Sequence, residues 1–255
     1  MKKYNLSDVT FLLIIRIDTI NRLENILAVT KFLTLHFNTN IRLLECSRRN
    51  NGLLKKLINP AVEYAFHEDY DPVLHRTYYL NQMLSKVTTP FVAIWDADVI
   101  SSKNQVIKAV EFLRNNEADF VYPYIDYLLD TSEVIRDQYL KSNNYSVLSK
   151  YRKWMKEMYP PDPVGGAFFC NLSAYKDSGL ENEQFYGWGV EDGERYRRWK
   201  KSGYRIKRVK GCLFHLSHPR GINSLLHHRD QSIIKTRILK ESECRAGRKL
   251  FSQKI

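Results

Sequence analysis

Three short stretches carry residue types whose spacing can do chemistry. The first is Gly187-Trp188-Gly189-Val190-Glu191-Asp192-Gly193-Glu194. Its glycines allow a tight turn and a close approach of backbone to ligand. Trp188 offers a flat apolar face suited to a sugar ring, and the acids behind it offer a candidate general base. Those acids equally suit the first turn of a helix, where they offset its dipole. The second stretch is Asp96-Ala97-Asp98, directly behind the apolar run Phe91 to Trp95. Two carboxylates one residue apart at a strand end can hold a divalent cation. Hard oxygen ligands suit Mg2+ or Mn2+, either of which neutralises a diphosphate. Alone, such a pair also reads as an ordinary turn. The third is His215 and His218, after Leu213-Phe214. A histidine pair of this kind is more often structural or exposed. Joined to a carboxylate, it favours Mn2+ over Mg2+, because imidazole is the softer ligand.

These residues need elements to place them. Val9 to Ile17 is a continuous apolar run of strand length, expected to be buried on both faces. Thr19 to Leu35 has helical spacing, and Asn40 to Glu45 reads as a second strand. A short helix over Leu53–Ile58, a strand over Val62–Phe66 and a helix over Val73–Ser85 follow. After them come the strand Phe91–Trp95, a helix over Asn104–Asn115 and a strand over Ala118–Tyr122. This alternation predicts an α/β layer structure with a mostly parallel central sheet flanked by helices. Ligands bind such sheets beyond the carboxyl ends of the strands. Asp18, Glu45 and the Asp96/Asp98 pair all fall at strand ends, which points to one polar pocket.

Tyr124 to Pro163 differs in character, being rich in tyrosine and charge, with a helix expected over Ile135–Leu148. It reads as an excursion from the sheet or a lid over the site, with a linker between domains as the alternative. Val164 to Leu172 is expected to be a strand that begins, at Gly165-Gly166, with a close backbone approach. A helix to Lys201 and strands over Tyr204–Val209 and Cys212–Leu216 complete the domain, with Glu194 on the helix surface.

At 255 residues with 44% apolar content, the chain can bury a real core. The formal net charge of +12 argues for a negatively charged partner: nucleic acid, an anionic membrane or a nucleotide diphosphate. The basic residues are dispersed and no nucleic-acid recognition motif is legible, so a nucleic-acid binder is disfavoured. Cys46, Cys170, Cys212 and Cys244 show no metal-site spacing and are expected to be buried free thiols of a reducing compartment. No signal peptide or membrane span is legible, so a cytoplasmic protein is expected. The tail from Asn223 to Ile255 is basic and of helical spacing; it packs on the core or lies on an anionic membrane at the inner face.

Four stretches together resemble a known family. They are Phe91 to Asp98, Gly165-Gly166-Ala167-Phe168, Phe185 to Asp192, and Phe214-His215-Leu216-Ser217-His218-Pro219. In that order they resemble glycosyltransferases of the GT-A fold, family 2-like. The C-terminal half is similar to the β-1,4-galactosyltransferases and the bacterial chondroitin-polymerase type enzymes. The resemblance covers about residues 9 to 220. It implies a GT-A domain over 1–222, with a nucleotide-binding half over about 9–123 and an acceptor half over 124–222, then a basic extension over 223–255. It implies an inverting, metal-dependent transfer from a UDP-sugar to a glycan or lipid-linked acceptor. A non-catalytic nucleotide- or glycan-binding relative of the same fold is the alternative. Asp98 would ligate Mn2+ (or Mg2+) with His218 and His215. Asp96 would lie nearer the ribose, with Asp18 and Glu45 facing the uracil and ribose. Arg16 and Arg76 would meet the base or the diphosphate, and Asn81 would line the nucleotide pocket. Trp188, with Gly166 and Gly187, would wall the sugars. Asp192 matches the general base, with Glu191 orienting a hydroxyl. The chain departs from the pattern at Gly193, where an acid is common, and at Val190, which replaces a glycine.

Overall fold

The structure, a computed structural model, describes residues 2–221, 223 and 233–242. In chain order the elements are β1 (Tyr4–Ile15), α1 (Ile20–His36), β2 (Phe37–Ser47), α2 (Leu53–Leu57), β3 (Glu63–Glu68), α3 (Arg76–Leu84), β4 (Phe91–Trp95), β5 (Val99–Ile100), α4 (Lys103–Arg114) and β6 (Phe120–Tyr122). Then come β7 (Leu128–Asp130), α5 (Glu133–Ser142), α6 (Tyr145–Tyr151), a one-turn 3-10 helix (Arg152–Trp154), β8 (Lys156–Glu157), β9 (Ala167–Asn171), α7 (Leu172–Asp177), α8 (Glu191–Lys201), β10 (Ile206–Arg208) and β11 (Leu213–His215). A further helix spans 233–242.

The main sheet has seven strands in the order β10-β6-β9-β4-β1-β2-β3. Strands β3, β2, β1 and β4 run parallel, β10 runs parallel to β6, and only β9 opposes its neighbours. The expected mostly parallel α/β sheet is therefore the observed one. Its centre is apolar on both faces: Val9, Phe11, Leu12 and Leu13 of β1 are all fully buried. A strand covered on both sides must read as an unbroken apolar run, which is why β1 was legible. Phe11, Trp95 and Phe169 meet edge to face at 5.6–5.8 Å where β1, β4 and β9 lie side by side.

A second sheet, β5-β11-β7-β8, sits where the first ends. The Asp96-Ala97-Asp98 turn joins them, between β4 and β5. The Trp95 indole N–H closes this turn by donating to the Val99 carbonyl at 3.0 Å. Register does the rest: β11 places His215 opposite both Val99 of β5 and Asp130 of β7. The backbone N–H of Leu216 donates to the Asp98 carbonyl at 2.7 Å, tying the histidine strand to the acidic turn.

Several local expectations need correction. The helix expected over Ile135–Leu148 is two helices, because Asn143 adopts the left-handed region (φ 49°) and the Asn144 side chain caps α6 by accepting from Ser146 N. The 124–163 excursion also contains β7 and β8. The strand expected to reach Leu172 stops at Asn171, whose side chain caps α7 through Ser173 N and Ala174 N. Glu194 is buried and paired with Arg198 at 2.9 Å, not exposed. Cys46, Cys170 and Cys212 are buried free thiols, as expected; Cys244 lies outside the described residues. Of the tail expected to be helical over 223–255, 233–242 is a helix. Apart from Asn223, the rest of the tail, with Leu225 and Leu226, lies outside the described residues. Among the described residues, no helix is long and apolar enough to cross a membrane.

Candidate active site

A cavity of about 540 Å³ opens at the carboxyl ends of the parallel strands. Its wall includes Arg16, Arg76, Asp96, Asp98, Gly166, Trp188, Glu191, Asp192, His215 and His218, ten of the residues expected at the site. Asp18, Glu45, Asn81 and Gly187 are not brought to that wall. Asp18 pairs with Arg22 at 3.1 Å, and it is Arg22 that lines the cavity. Glu45, on β2 beside β3, is buried, and the Tyr64 hydroxyl donates to it at 2.8 Å. Asn81 is a brace: its amide donates to the Glu181 carbonyl at 3.0 Å and accepts from Glu181 N at 3.0 Å, fixing the chain that leads to Gly187. Gly187 turns that chain with φ 71°, and a Cβ there would meet Val73 at 2.8 Å.

At the floor, Asp98, His215 and His218 each offer one ligand atom, all within 4.8 Å of one another. Asp98 Oδ2 lies 3.2 Å from His218 Nε2 and 3.6 Å from His215 Nε2. The other ring nitrogens are engaged: His215 Nδ1 with Asp130 Oδ1 at 2.8 Å and His218 Nδ1 with the Pro219 carbonyl at 2.9 Å. Outer partners of this kind fix the tautomer that turns Nε2 toward a metal. One carboxylate and two imidazoles suit Mn2+ better than Mg2+. Burial pulls His215 down, but Asp98 and Asp130 outweigh it and hold it up at about 9. Burial pushes Asp98 up, and the two histidines outweigh it and hold it well below the usual range. A cation must therefore displace a proton from His215. Mn2+ affinity is expected to rise with pH by roughly tenfold per unit and to level off near the His215 value. Mn2+ titrations followed by paramagnetic resonance at several pH values check this.

Arg76 donates to Asp96 Oδ1 at 2.6 Å, and Asp96 N donates to the Gly166 carbonyl at 2.8 Å. Burial holds the Asp96 carboxyl up at about 6, opposed by Arg76. Gly166 has φ 82°, and a Cβ there would strike Leu213 at 2.7 Å. Gly165 is the close approach anticipated from sequence: its Cβ would sit 2.8 Å from Asp192 Oδ2.

Asp192 stands in the first turn of α8, whose three early acids and late Arg198, Lys200 and Lys201 match the helix dipole. Val190 precedes it at φ 75°, where a glycine is unstrained and a β-branched residue is not. Asp192 is oriented by a residue the sequence reading missed. Arg195 Nη2 donates to Asp192 Oδ1 at 2.5 Å, while its Nη1 meets both oxygens of Glu181 at 2.9 and 3.0 Å. Tyr175 donates its hydroxyl to the same Glu181. The guanidinium lies 4.3 Å from the Phe168 ring centroid. The signal was the spacing of three between Asp192 and Arg195 on one helix face. Replacing Arg195 by Met would strand the Glu181 charge in the core. A stability loss of about 3–5 kcal/mol is expected in urea unfolding, partly restored by Glu181→Gln in the same chain.

Glu191 is buried, and its Oε2 has no partner among the described residues. Burial, then the neighbouring Asp192, push its carboxyl up to about 7, against Arg76 and Lys235. Lys235, from the helix 233–242, donates to the Gly187 and Trp188 carbonyls at 3.2 and 2.5 Å. Trp188 faces Tyr159 across the cavity mouth, with ring centroids 6.2 Å apart.

Residues 146–221 match the sequence model of a family described as the N-terminal domain of galactosyltransferase. That span carries Gly165-Gly166, Gly187 to Asp192 and both histidines, but not Asp98. No curated protein matches the sequence. Among solved structures, a mannosyltransferase from Pyrobaculum calidifontis, in complex with GDP-Man and Mn2+, aligns with TM-score 0.54 at 15% identity. The match covers 84% of this chain and 58% of that one, so the chain spans under three fifths of that protein. The catalytic domain of Drosophila β1,4-galactosyltransferase 7, in complex with xylobiose, aligns with TM-score 0.55 at 14% identity, covering 89% of this chain and 79% of that one. A mutant of the same Drosophila protein, in complex with manganese, UDP-Gal and xylobiose, gives the same figures. The fold is that of the GT-A glycosyltransferases, in agreement with the resemblance read from the sequence.

Proposed function

We propose that the chain is an inverting, metal-dependent glycosyltransferase. It moves a hexose or N-acetylhexosamine from a UDP-sugar to a glycan or lipid-linked acceptor, in the synthesis of a surface polysaccharide. One observation carries this reading: the Asp98-His215-His218 cluster and the Asp192 carboxylate line the same cavity.

Asp98, His215 and His218 would hold Mn2+ (or Mg2+), which when bound supplies positive charge against the leaving diphosphate. Arg220 also lines the cavity wall, beside the guanidinium groups of Arg16 and Arg76, which are paired with Asp69 and Asp96. A sugar hydroxyl is a poor nucleophile, so a carboxylate must take its proton as it attacks C1. Asp192 would be that carboxylate. Arg195 occupies its Oδ1, leaving Oδ2 to accept the proton beside the bare backbone of Gly165. Attack from the side opposite the diphosphate inverts the anomeric centre. Trp188 supplies the apolar platform for a sugar face. Glu191, on the cavity wall, would accept a hydrogen bond from a sugar hydroxyl.

The test is a panel of UDP- and GDP-sugars incubated with Mn2+ or with chelator, reading nucleoside diphosphate release and the anomeric configuration of the product by NMR. Mn2+-dependent release from a UDP-sugar, with inversion, is expected. Binding without turnover would identify the non-catalytic relative instead, and retention would overturn the role given to Asp192.

A further inference from the structure

Trp154 is 70% exposed, more than any other Trp, Tyr or Phe described. Trp95 and Trp199 are buried in the core, and Trp188 lines the cavity. Trp154 ends the one-turn helix between α6 and β8, with the Tyr151 ring 5.9 Å away and itself 37% exposed. Lys150, Arg152, Lys153 and Lys156, the neighbours of the two rings in sequence, are all exposed. Lys150 Nζ lies 5.3 Å from the Tyr151 centroid. Among the described residues, none of these four cations is ion-paired with a carboxylate. Over 150–157, four cations face the single acid Glu157.

An indole held in water on a tight turn, flanked in sequence by unpaired cations on long apolar stems, has the chemistry of a bilayer interface. Trp and Tyr settle at headgroup depth, and Lys and Arg keep their charges at the phosphates while burying their stems. We infer that the face made by Tyr151 and Trp154 with Lys150, Arg152, Lys153 and Lys156 docks the protein on an anionic lipid surface. A nucleic acid or acidic polysaccharide fits less well. Such polymers bind along grooves with stacking rings in series, whereas these two rings project from a turn and neither lines the cavity. Of the basic tail, which the sequence suggested for this contact, the described helix 233–242 turns Lys235 inward onto the Gly187 and Trp188 carbonyls. Four residues after Trp154 the chain becomes the cavity wall at Met158. Docking would then bring the cavity mouth to the membrane and suit a lipid-linked acceptor. That consequence rests on the proposed function; the docking does not.

The test is flotation of the full chain with phosphatidylcholine vesicles containing about one third phosphatidylglycerol, compared with pure phosphatidylcholine, with no sugar nucleotide or metal present. Binding is expected to the anionic vesicles only and to weaken as salt rises. R152Q/K153Q is expected to lower partitioning about 25-fold, roughly fivefold for each near-surface cation. Trp154→Ala is expected to lower it about tenfold or more and to abolish the blue shift of tryptophan emission on vesicle addition. Substituting Arg237 and Lys240 of the tail by Gln should change nothing. Equal binding to neutral vesicles overturns the inference, as does no binding at all. It is equally overturned by full binding in both face variants, by loss of binding in the tail variant alone, or by a Trp154-dependent preference for heparin or RNA over vesicles. Because neither donor nor metal takes part, failure here leaves the donor assay free to succeed.

Discussion

Replacing Asp192 by Asn is expected to lower sugar transfer by about three orders of magnitude, within the range seen for positioned general bases, while Mn2+-dependent UDP binding stays within about twofold. The substitution keeps shape and removes the proton acceptor. The Arg195–Glu181 pair remains whole, so the fold is retained. A variant that binds UDP normally and turns over at background rate supports Asp192 as base. Loss of UDP binding would move Asp192 to the donor site and leave the base unassigned. Single-turnover kinetics beside a binding titration separate the two.

Asp98→Ala is expected to be as severe for a different reason. Asp98 Oδ2 lies within 3.6 Å of both imidazole Nε2 atoms, so its loss removes the single anionic member of the cluster. Transfer should fall by about three orders of magnitude, given that metal stabilisation of a leaving group is worth several kcal/mol. Mn2+ is expected to raise the melting temperature of the wild type, and that rise should vanish in the variant. His218→Ala should weaken Mn2+ binding without removing the Asp98–His215 contact. If metal dependence survives His218→Ala unchanged, that histidine is not a ligand.

The parts of this site that were legible share a physical cause. Asp96 and Asp98 follow a strand buried on both faces, so the apolar run announced the strand and its end announced the acids. Gly165 and Gly187 to Asp192 were legible because few residue types tolerate such close contacts and positive φ angles. The second sheet was not legible. Its strands are two or three residues long, too short for any period, and they pair across gaps of tens of residues. Asp130, which orients His215, was hidden with β7. Arg195 was lost among the basic residues of α8, where Arg197, Arg198, Lys200 and Lys201 follow it and nothing in residue type sets it apart. Glu45 and Asn81 were placed at the nucleotide by position along the chain; the structure gives their side chains other partners, Tyr64 and Glu181. The positive charge was the weakest guide, since Arg114, Arg136, Arg205 and Lys207 are each paired with a local carboxylate.

Calorimetric titration of UDP into the protein with Mn2+ and with chelator, repeated on Asp98→Ala, tests directly whether the acid–histidine cluster is a metal site that holds the nucleotide. UDP is expected to bind at least about a hundredfold more tightly with Mn2+, a coupling of roughly 3 kcal/mol, and Asp98→Ala is expected to erase that difference. UDP affinity that is the same with and without Mn2+, or a Mn2+ effect that survives Asp98→Ala, would contradict the assignment of the Asp98-His215-His218 cluster as the metal-bound nucleotide site.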